Sequence, residues 1–262
     1  MNRKALLQVV VPVLSSDLRF SQTFEYLLAL KKFKKIQITV ITDSIKKIEE
    51  IISLQGVDSK KLELIQVPKK GVYNAMNSGV MLGNSKYHIF LNCGDIPILD
   101  SYDAVLKVLE LEDRHVCCSF FTSASVTEKV MFNKNPGWGE KHSPHQAYIF
   151  NNSRLKGRPY DESYAICSDY CYIKELKGGD IVFLDIPVVL YDLESGLSKE
   201  RPFRAIWETF LIEKNLGTPI YKNIYFFIIK CLKNILIAPI KSIGALNQAI
   251  KIKKYIIGLY KY

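Results

Sequence analysis

The 262-residue sequence predicts an α/β domain with a doubly wound, mainly parallel sheet, followed by a basic helical appendage. Three observations carry this. Short apolar, β-branched runs at 6–13, 36–42, 62–67 and 87–92 alternate with helical-period segments at 18–32, 44–55, 72–83 and 100–112. The connections between them are short. Hydrophobic residues make up 48% of the chain, which supplies a core and argues against disorder.

The elements follow in order. LLQVVVPV has a short apolar run after two basic residues, but it is valine-rich and no small-residue cleavage site follows. It reads as a first buried strand rather than a leader. Phe20, Phe24, Leu27, Leu28 and Leu30 set a helical face. IQITVIT is a second strand, and Ile48, Ile51 and Ile52 line the next helix. After the fourth strand and the helix at 100–112, the pattern changes. Strands are expected at 115–122, 127–132, 146–150 and 181–191, helices near 166–177 and 202–215, and a Pro/Gly/Trp-rich loop at 133–144.

Charge is distributed unevenly. No Asp or Glu follows Glu213, and nine of the 36 basic residues lie beyond it, all lysines. Residues 1–213 keep 27 bases against 26 acids, a net +1 of the total +10. The body is neutral and the tail basic, which points to a local anionic surface. The lysines sit with Ile and Tyr in one terminal block, so no nucleic-acid partner is expected. From Tyr221 onward no run of about eighteen uncharged apolar residues occurs, so a spanning helix is not expected. Ile243, Leu246, Ile250 and Ile257 share a helical face, the pattern of an interfacial helix; a helix packed on the body is the alternative. The six cysteines contain no CxxC pair, and reduced thiols are expected.

In an open α/β sheet, ligands bind beyond the carboxyl ends of the strands. Pro12 to Ser16, Asp43, Gly71 to Asn77 and Asn92 to Asp95 lie there. Asp95 stands in a Gly-containing turn after an apolar strand, where a carboxylate holds a hard cation or caps the turn. Asp43 would accept from a nucleobase N–H or cap the following helix.

YNAMNSGV at 73–80 followed by YHIFLNCGD at 87–95 resembles the family 2 glycosyltransferases of GT-A fold. It is most similar to the subgroup that builds bacterial O-antigens, colanic acid and related exopolysaccharides, whose members typically read GIYDAMNKG and then FLNSGD. HQAYIF at 145–150, YDESYAICSDY at 160–170 and SGLS at 195–198 match later features in the same order. The resemblance covers residues 6–200.

The resemblance implies a nucleotide-diphospho-sugar transferase fold, Rossmann-like, with helices on both sheet faces. Residues 1–216 would form this domain, 1–98 as its nucleotide-sugar half and 99–216 as its acceptor half. Residues 217–262 would form a membrane-associating tail. Pro12, Asp43, Tyr73, Asn77, Asn92 and Asp95 would bind the nucleotide sugar. Asp95 would ligate Mn²⁺ or Mg²⁺, and Asp169 would be the catalytic base. Trp138, His145, Gln146, Asp161, Glu162 and Ser195 would stand on the acceptor side. The implied reaction moves a hexose, with inversion, from a UDP-sugar rather than a GDP- or dTDP-sugar. The implied acceptor is a polyprenyl-diphosphate-linked glycan at the inner face of the bacterial cytoplasmic membrane. A non-catalytic nucleotide-sugar-binding protein is the alternative.

The sequence departs from the family pattern. Asp-x-Asp is reduced to Cys93-Gly94-Asp95, and Asn74 replaces an Asp. Lys69 and Lys70 stand where an Asp is common, and Asp-Gly-Ser is shortened to Asp43-Ser44. On the residues alone, Asp161 and Glu162 would orient hydroxyls or cap a helix. His145 would bind metal or acceptor, or serve the core. Trp138 would stack on a sugar or anchor its loop.

Overall fold

A computed structural model describes residues 5–14, 17–55, 62–123, 125–130, 143–155, 157–176, 178–192 and 196–242. The chain divides into two compact units, 1–196 and 197–262.

The first unit is built on a mixed sheet. Strands β1 (Leu7–Val13), β2 (Ile36–Thr42), β3 (Glu63–Gln66) and β4 (Tyr87–Phe90) alternate with helices α1 (Phe20–Leu30), α2 (Ile45–Ser53) and α3 (Val72–Leu82). Then come β5 (Ile96–Pro97), α4 (Tyr102–Leu111), β6 (His115–Thr122), β7 (Ser125–Val130), β8 (Tyr148–Asn151), α5 (Ser168–Glu175) and β9 (Ile181–Tyr191). The strand order is β3-β2-β1-β4-β8-β6-β9-β5, with β7 paired to β6.

The first four strands are parallel, as their alternation with helices requires. The expectation of a mainly parallel sheet fails beyond them. β8 runs antiparallel to both β4 and β6, and β5 antiparallel to β9; only β6 and β9 pair in parallel. The reason is connectivity. β7 folds back antiparallel on β6, and β8 also runs opposite to β6, so neither continues the βαβ alternation that kept the first four strands parallel. The two-residue β5 is too short for a periodic signal.

Strand alternation divides the core into two layers. Leu7, Val9, Val11 and Val13 of β1 face one cluster, together with Phe20, Phe24 and Leu27 of α1, Ile48 and Ile52 of α2, and Val105 and Leu109 of α4. Val10 faces the other, with Met76 and Val80 of α3 and Ile173 of α5. Helices therefore cover both faces. Gly79 lets α3 approach closely, because a Cβ there would lie 2.5 Å from Val10 Cγ1.

The second unit contains α6 (Leu197–Glu200), α7 (Pro202–Asn215) and α8 (Ile220–Ser242). Phe210 packs against Trp207 and Phe227, with ring centroids 5.5 and 5.3 Å away, and Asn223 donates to Phe210 O at 2.9 Å. No described helix is long and apolar enough to cross a membrane. The helical face expected from Ile243 to Ile257 lies outside the described residues.

Candidate active site

The site is assembled at the carboxyl ends of β4 and β9, the N-terminus of α5 and the start of α3. Beyond β4 the chain turns through Gly94, whose φ of +96° suits glycine. A side chain there would also meet Asp192 Oδ2 at 3.0 Å. The turn closes on itself: Asp95 N donates to Asn92 O, and Asn92 N to Asp95 Oδ2, both at 3.1 Å. Gly94 N donates to Thr23 Oγ1 at 2.9 Å, tying the turn to α1.

Asp95 is 2% exposed. Besides Asn92 N, it accepts Gln146 Nε2 at 3.0 Å and Asp192 N at 3.0 Å. Burial raises its pKa to about 6, and these donors offset only part of that. As a metal ligand Asp95 has little free capacity in this arrangement. Both of its oxygens already accept N–H bonds, and no three His, Cys, Asp or Glu side chains converge on a cation position among the described residues.

Asp169 lies in the first turn of α5 and its side chain is 29% exposed. His145 Nδ1 lies 2.9 Å from Oδ2, and Tyr73 Oη donates to Oδ1 at 2.8 Å. Burial pushes the carboxyl up, but the hydrogen bond and charge of His145, with the Tyr73 phenol, outweigh it; the net pKa is lowered. Tyr73 Oη also lies 2.6 Å from Ile166 O, so one phenolic proton is shared between two acceptors. The adjacent residues His145 and Gln146 thus reach different carboxylates, His145 the expected base and Gln146 the Asp95 turn. Tyr191, at the end of β9, has its phenol pushed up to about 12, first by burial and then by the charges of Asp95, Asp169 and Asp192.

The remaining expected residues divide into three groups. Asn77 is buried, and its amide is committed to the 160–162 segment: Nδ2 donates to Tyr160 O at 2.8 Å and Glu162 Oε1 at 3.0 Å, while Oδ1 accepts from Tyr160 N at 3.0 Å. Glu162 also accepts from Asn74 Nδ2 at 2.8 Å and Arg158 Nη1 at 2.8 Å. Its pKa is lowered, chiefly by Asn77. The change of the family's Asp to Asn74 is complementary, because an Asp there would face Glu162 with like charge. Asp161 caps its own turn by accepting Ser163 N at 2.9 Å.

Pro12 is buried within β1, and its carbonyl faces Cys93 Sγ at 4.0 Å. Asp43 lies on the loop after β2, and Asn92 is half-buried with Oδ1 unpartnered. Trp138 and Ser195 lie outside the described residues.

Tyr191, Asp192, Asp17 and Arg19 belong to the neighbourhood and carried no motif. Arg19 is chelated by Asp17, Nε to Oδ1 at 2.9 Å and Nη2 to Oδ2 at 2.7 Å, and its Nη1 lies 3.9 Å from Asp192 Oδ2. The sequence clue was placement alone, Asp17 and Arg19 after β1 and Asp192 at the end of β9.

No protein-family model matches the sequence, and no curated protein is similar to it by sequence. The fold is one that a solved glycosyltransferase structure also has. TarS of S. aureus has it, with a TM-score of 0.56 at 13% identity over 83% of this chain and 41% of TarS. The 1–349 fragment of TarS in complex with UDP gives a TM-score of 0.55, and in complex with UDP-GlcNAc 0.54. Both share 13% identity over 83% of this chain, and 68% and 69% of the fragment. The chain thus spans under half the length of the longer TarS structure.

Proposed function

We propose that the protein is an inverting glycosyltransferase that moves a hexose from a nucleotide sugar, a UDP-sugar first, to a lipid-linked glycan acceptor in bacterial surface-polysaccharide synthesis. The observation that carries this reading is two carboxylates held by adjacent residues: Asp169 at the start of α5, partly open and bonded to His145, and Asp95 in the buried turn beyond β4, bonded to Gln146. The TarS structures with UDP and UDP-GlcNAc support the donor class.

Transfer requires a base for the acceptor hydroxyl. Asp169 has a lowered pKa, so it is unprotonated at neutral pH. His145 and Tyr73 orient it, and its side chain keeps 29% exposure through which an acceptor hydroxyl could reach it. The hydroxyl oxygen attacks the anomeric carbon as the bond to the nucleoside diphosphate breaks, and Asp169 takes the proton. One displacement inverts the centre, so an α-linked donor gives a β-glycoside.

Mn²⁺ or Mg²⁺ would supply charge to the leaving diphosphate. At Asp95, Oδ2 already accepts two N–H groups and Oδ1 accepts one, so Oδ1 is the oxygen that would hold the cation. The single, committed acid favours one second reading, a non-catalytic nucleotide-sugar-binding protein. One assay separates the two. UDP-, GDP- and dTDP-sugars are incubated with a synthetic polyprenyl-diphosphate glycan, and free nucleoside diphosphate is measured with and without EDTA. Acceptor-dependent release is expected. Donor binding without release would leave only the binding protein, and release unaffected by EDTA would remove the metal.

The membrane partner is the remaining part of the proposal, with a place on the inner face of the cytoplasmic membrane. Ile220, Ile224, Ile228, Leu232 and Ile235 of α8 are all at least 46% exposed and share a helical stripe. The acid-free tail adds lysines that attract anionic headgroups, each by about 1 kcal/mol. Full-length protein is expected to float with anionic vesicles and to lose most of that binding in an Ile224→Ser/Ile228→Ser/Leu232→Ser variant. Equal flotation of the variant would remove α8 as the anchor.

A further inference from the structure

The 157–167 segment leads into α5 and so into Asp169. It contains no helix or strand, so no backbone ladder sets its position. Side chains of α3 set it instead. Tyr73 and Asn77, four residues apart, share one face of that helix. Asn77 is buried and spends its amide on the start of the segment, Tyr160 and Glu162, with three hydrogen bonds of 2.8 to 3.0 Å. Tyr73 holds the end of it, through Ile166 O and Asp169 Oδ1. The helix is itself fixed to the sheet: Met76 and Val80 are buried, and Gln8 Nε2 of β1 donates to Gly79 O at 3.1 Å. α3 is therefore the support, and the segment is what it supports.

Tyr160 carries this order to the groups around the carboxylate. Its buried ring lies 5.1 Å from the Tyr73 ring and 6.1 Å from the His145 ring, centroid to centroid. Tyr73 and His145 are the two side chains that bond Asp169. A third neighbour, Tyr172 at 5.9 Å, stands three residues beyond Asp169 in α5, and Phe90 of β4 adds a fourth at 5.1 Å. The Tyr160 hydroxyl has no hydrogen-bond partner among the described residues, so the ring is what acts. A side chain orients a reacting group only where its own rotamer is locked by packing. The Tyr160 ring packs on both side chains that orient Asp169, and Asn77 fixes the backbone that carries it.

We propose that Asn77 and Tyr160 are positioning residues for the base: Asn77 fixes Tyr160, and the Tyr160 ring holds His145 and Tyr73 where they bond Asp169. Asn77 then acts through the base and not on the donor that its motif implied. The effect on turnover rests on the transferase reading; the effect on the His145–Asp169 bond does not.

The test compares Asn77→Ala, Tyr160→Leu and Tyr160→Phe in the full-length chain. Steady-state kinetics separate kcat from the donor KM. NMR of histidine-labelled protein follows the His145 Nδ1 proton, assigned by its loss in Asp169→Asn. Asn77→Ala and Tyr160→Leu should lower kcat by about 10- to 100-fold, the scale of a small misplacement, with donor KM unchanged. Both should also shift or lose the Nδ1 proton signal. Tyr160→Phe keeps the ring, so it should recover the signal and most of the turnover that Tyr160→Leu loses. A folded Asn77→Ala with wild-type kcat, or one that loses donor affinity alone, would overturn the proposal. So would a Tyr160→Phe variant no better than Tyr160→Leu, and that comparison decides the matter if Asn77→Ala does not fold. If the wild type itself transfers no sugar, the transferase reading falls and the proton signal decides. Its displacement in Asn77→Ala and Tyr160→Leu keeps the positioning role, and an unmoved signal removes it.

Discussion

Replacing Asp169 by Asn is expected to lower turnover by about 10²- to 10⁴-fold, the usual contribution of a general base, with little change in nucleotide-sugar affinity. Asn preserves the shape between His145 and Tyr73 but cannot take a proton. The local fold tolerates the change, because the imidazole can exchange tautomers to accept from the new amide. His145→Ala should fall between wild type and Asp169→Asn. It removes the bond to Oδ2 but leaves the carboxylate, so it tests positioning rather than proton uptake. Because the pKa of Asp169 is lowered, the acid limb of kcat/KM that it sets should lie below the ordinary 3.8. Steady-state kinetics with donor and acceptor varied separately read all three effects. Loss of donor affinity in Asp169→Asn with turnover intact would remove Asp169 as the base.

Asp95 should show the opposite electrostatic signature. Its folded pKa of about 6 stands above the ordinary 3.8. Between those values Asp95 holds more of a proton in the native than in the unfolded state, so its contribution to stability falls as pH rises through the window and is level on either side. Two pKa units correspond to about 3 kcal/mol, a large share of a typical domain's stability. Asp169, Glu162 and Glu112, whose pKa values are lowered, slope the other way, so denaturant melts from pH 3.5 to 7 should show the Asp95 contribution as the difference between wild type and Asp95→Asn. Asp95→Ala should be less stable than Asp95→Asn. It strands the N–H donors of Asn92, Gln146 and Asp192, at about 1–3 kcal/mol for each buried group. Both variants should lose transfer by about 100-fold or more, since the turn beyond β4 and Gln146 are positioned through this carboxylate. Equal slopes in wild type and Asp95→Asn, or an active Asp95→Ala variant, would contradict the assignment.

The sequence by itself determined the periodic elements. Apolar alternation in β1, β2 and β4, and helical spacing in α1 to α4, are local properties, because each side chain's face follows from its number along the chain. It also located Asp95 beyond a strand and Asp169 near a helix start, and it separated a neutral body from a lysine-rich tail. Only the tertiary structure decided what these groups meet. That β8 enters antiparallel between β4 and β6 depends on pairing across about 60 residues, which no window of sequence contains. The same insertion brings His145 to Asp169 and Gln146 to Asp95. It also revealed that Asn77, expected to line the donor, holds the 160–162 segment, and that Asn74 answers Glu162. Tyr191 and Asp192 carried no motif, because their role comes from standing at the end of β9 beside both carboxylates. Contacts at such separations depend on three-dimensional geometry, and spacing along the chain records only the short-range part of it.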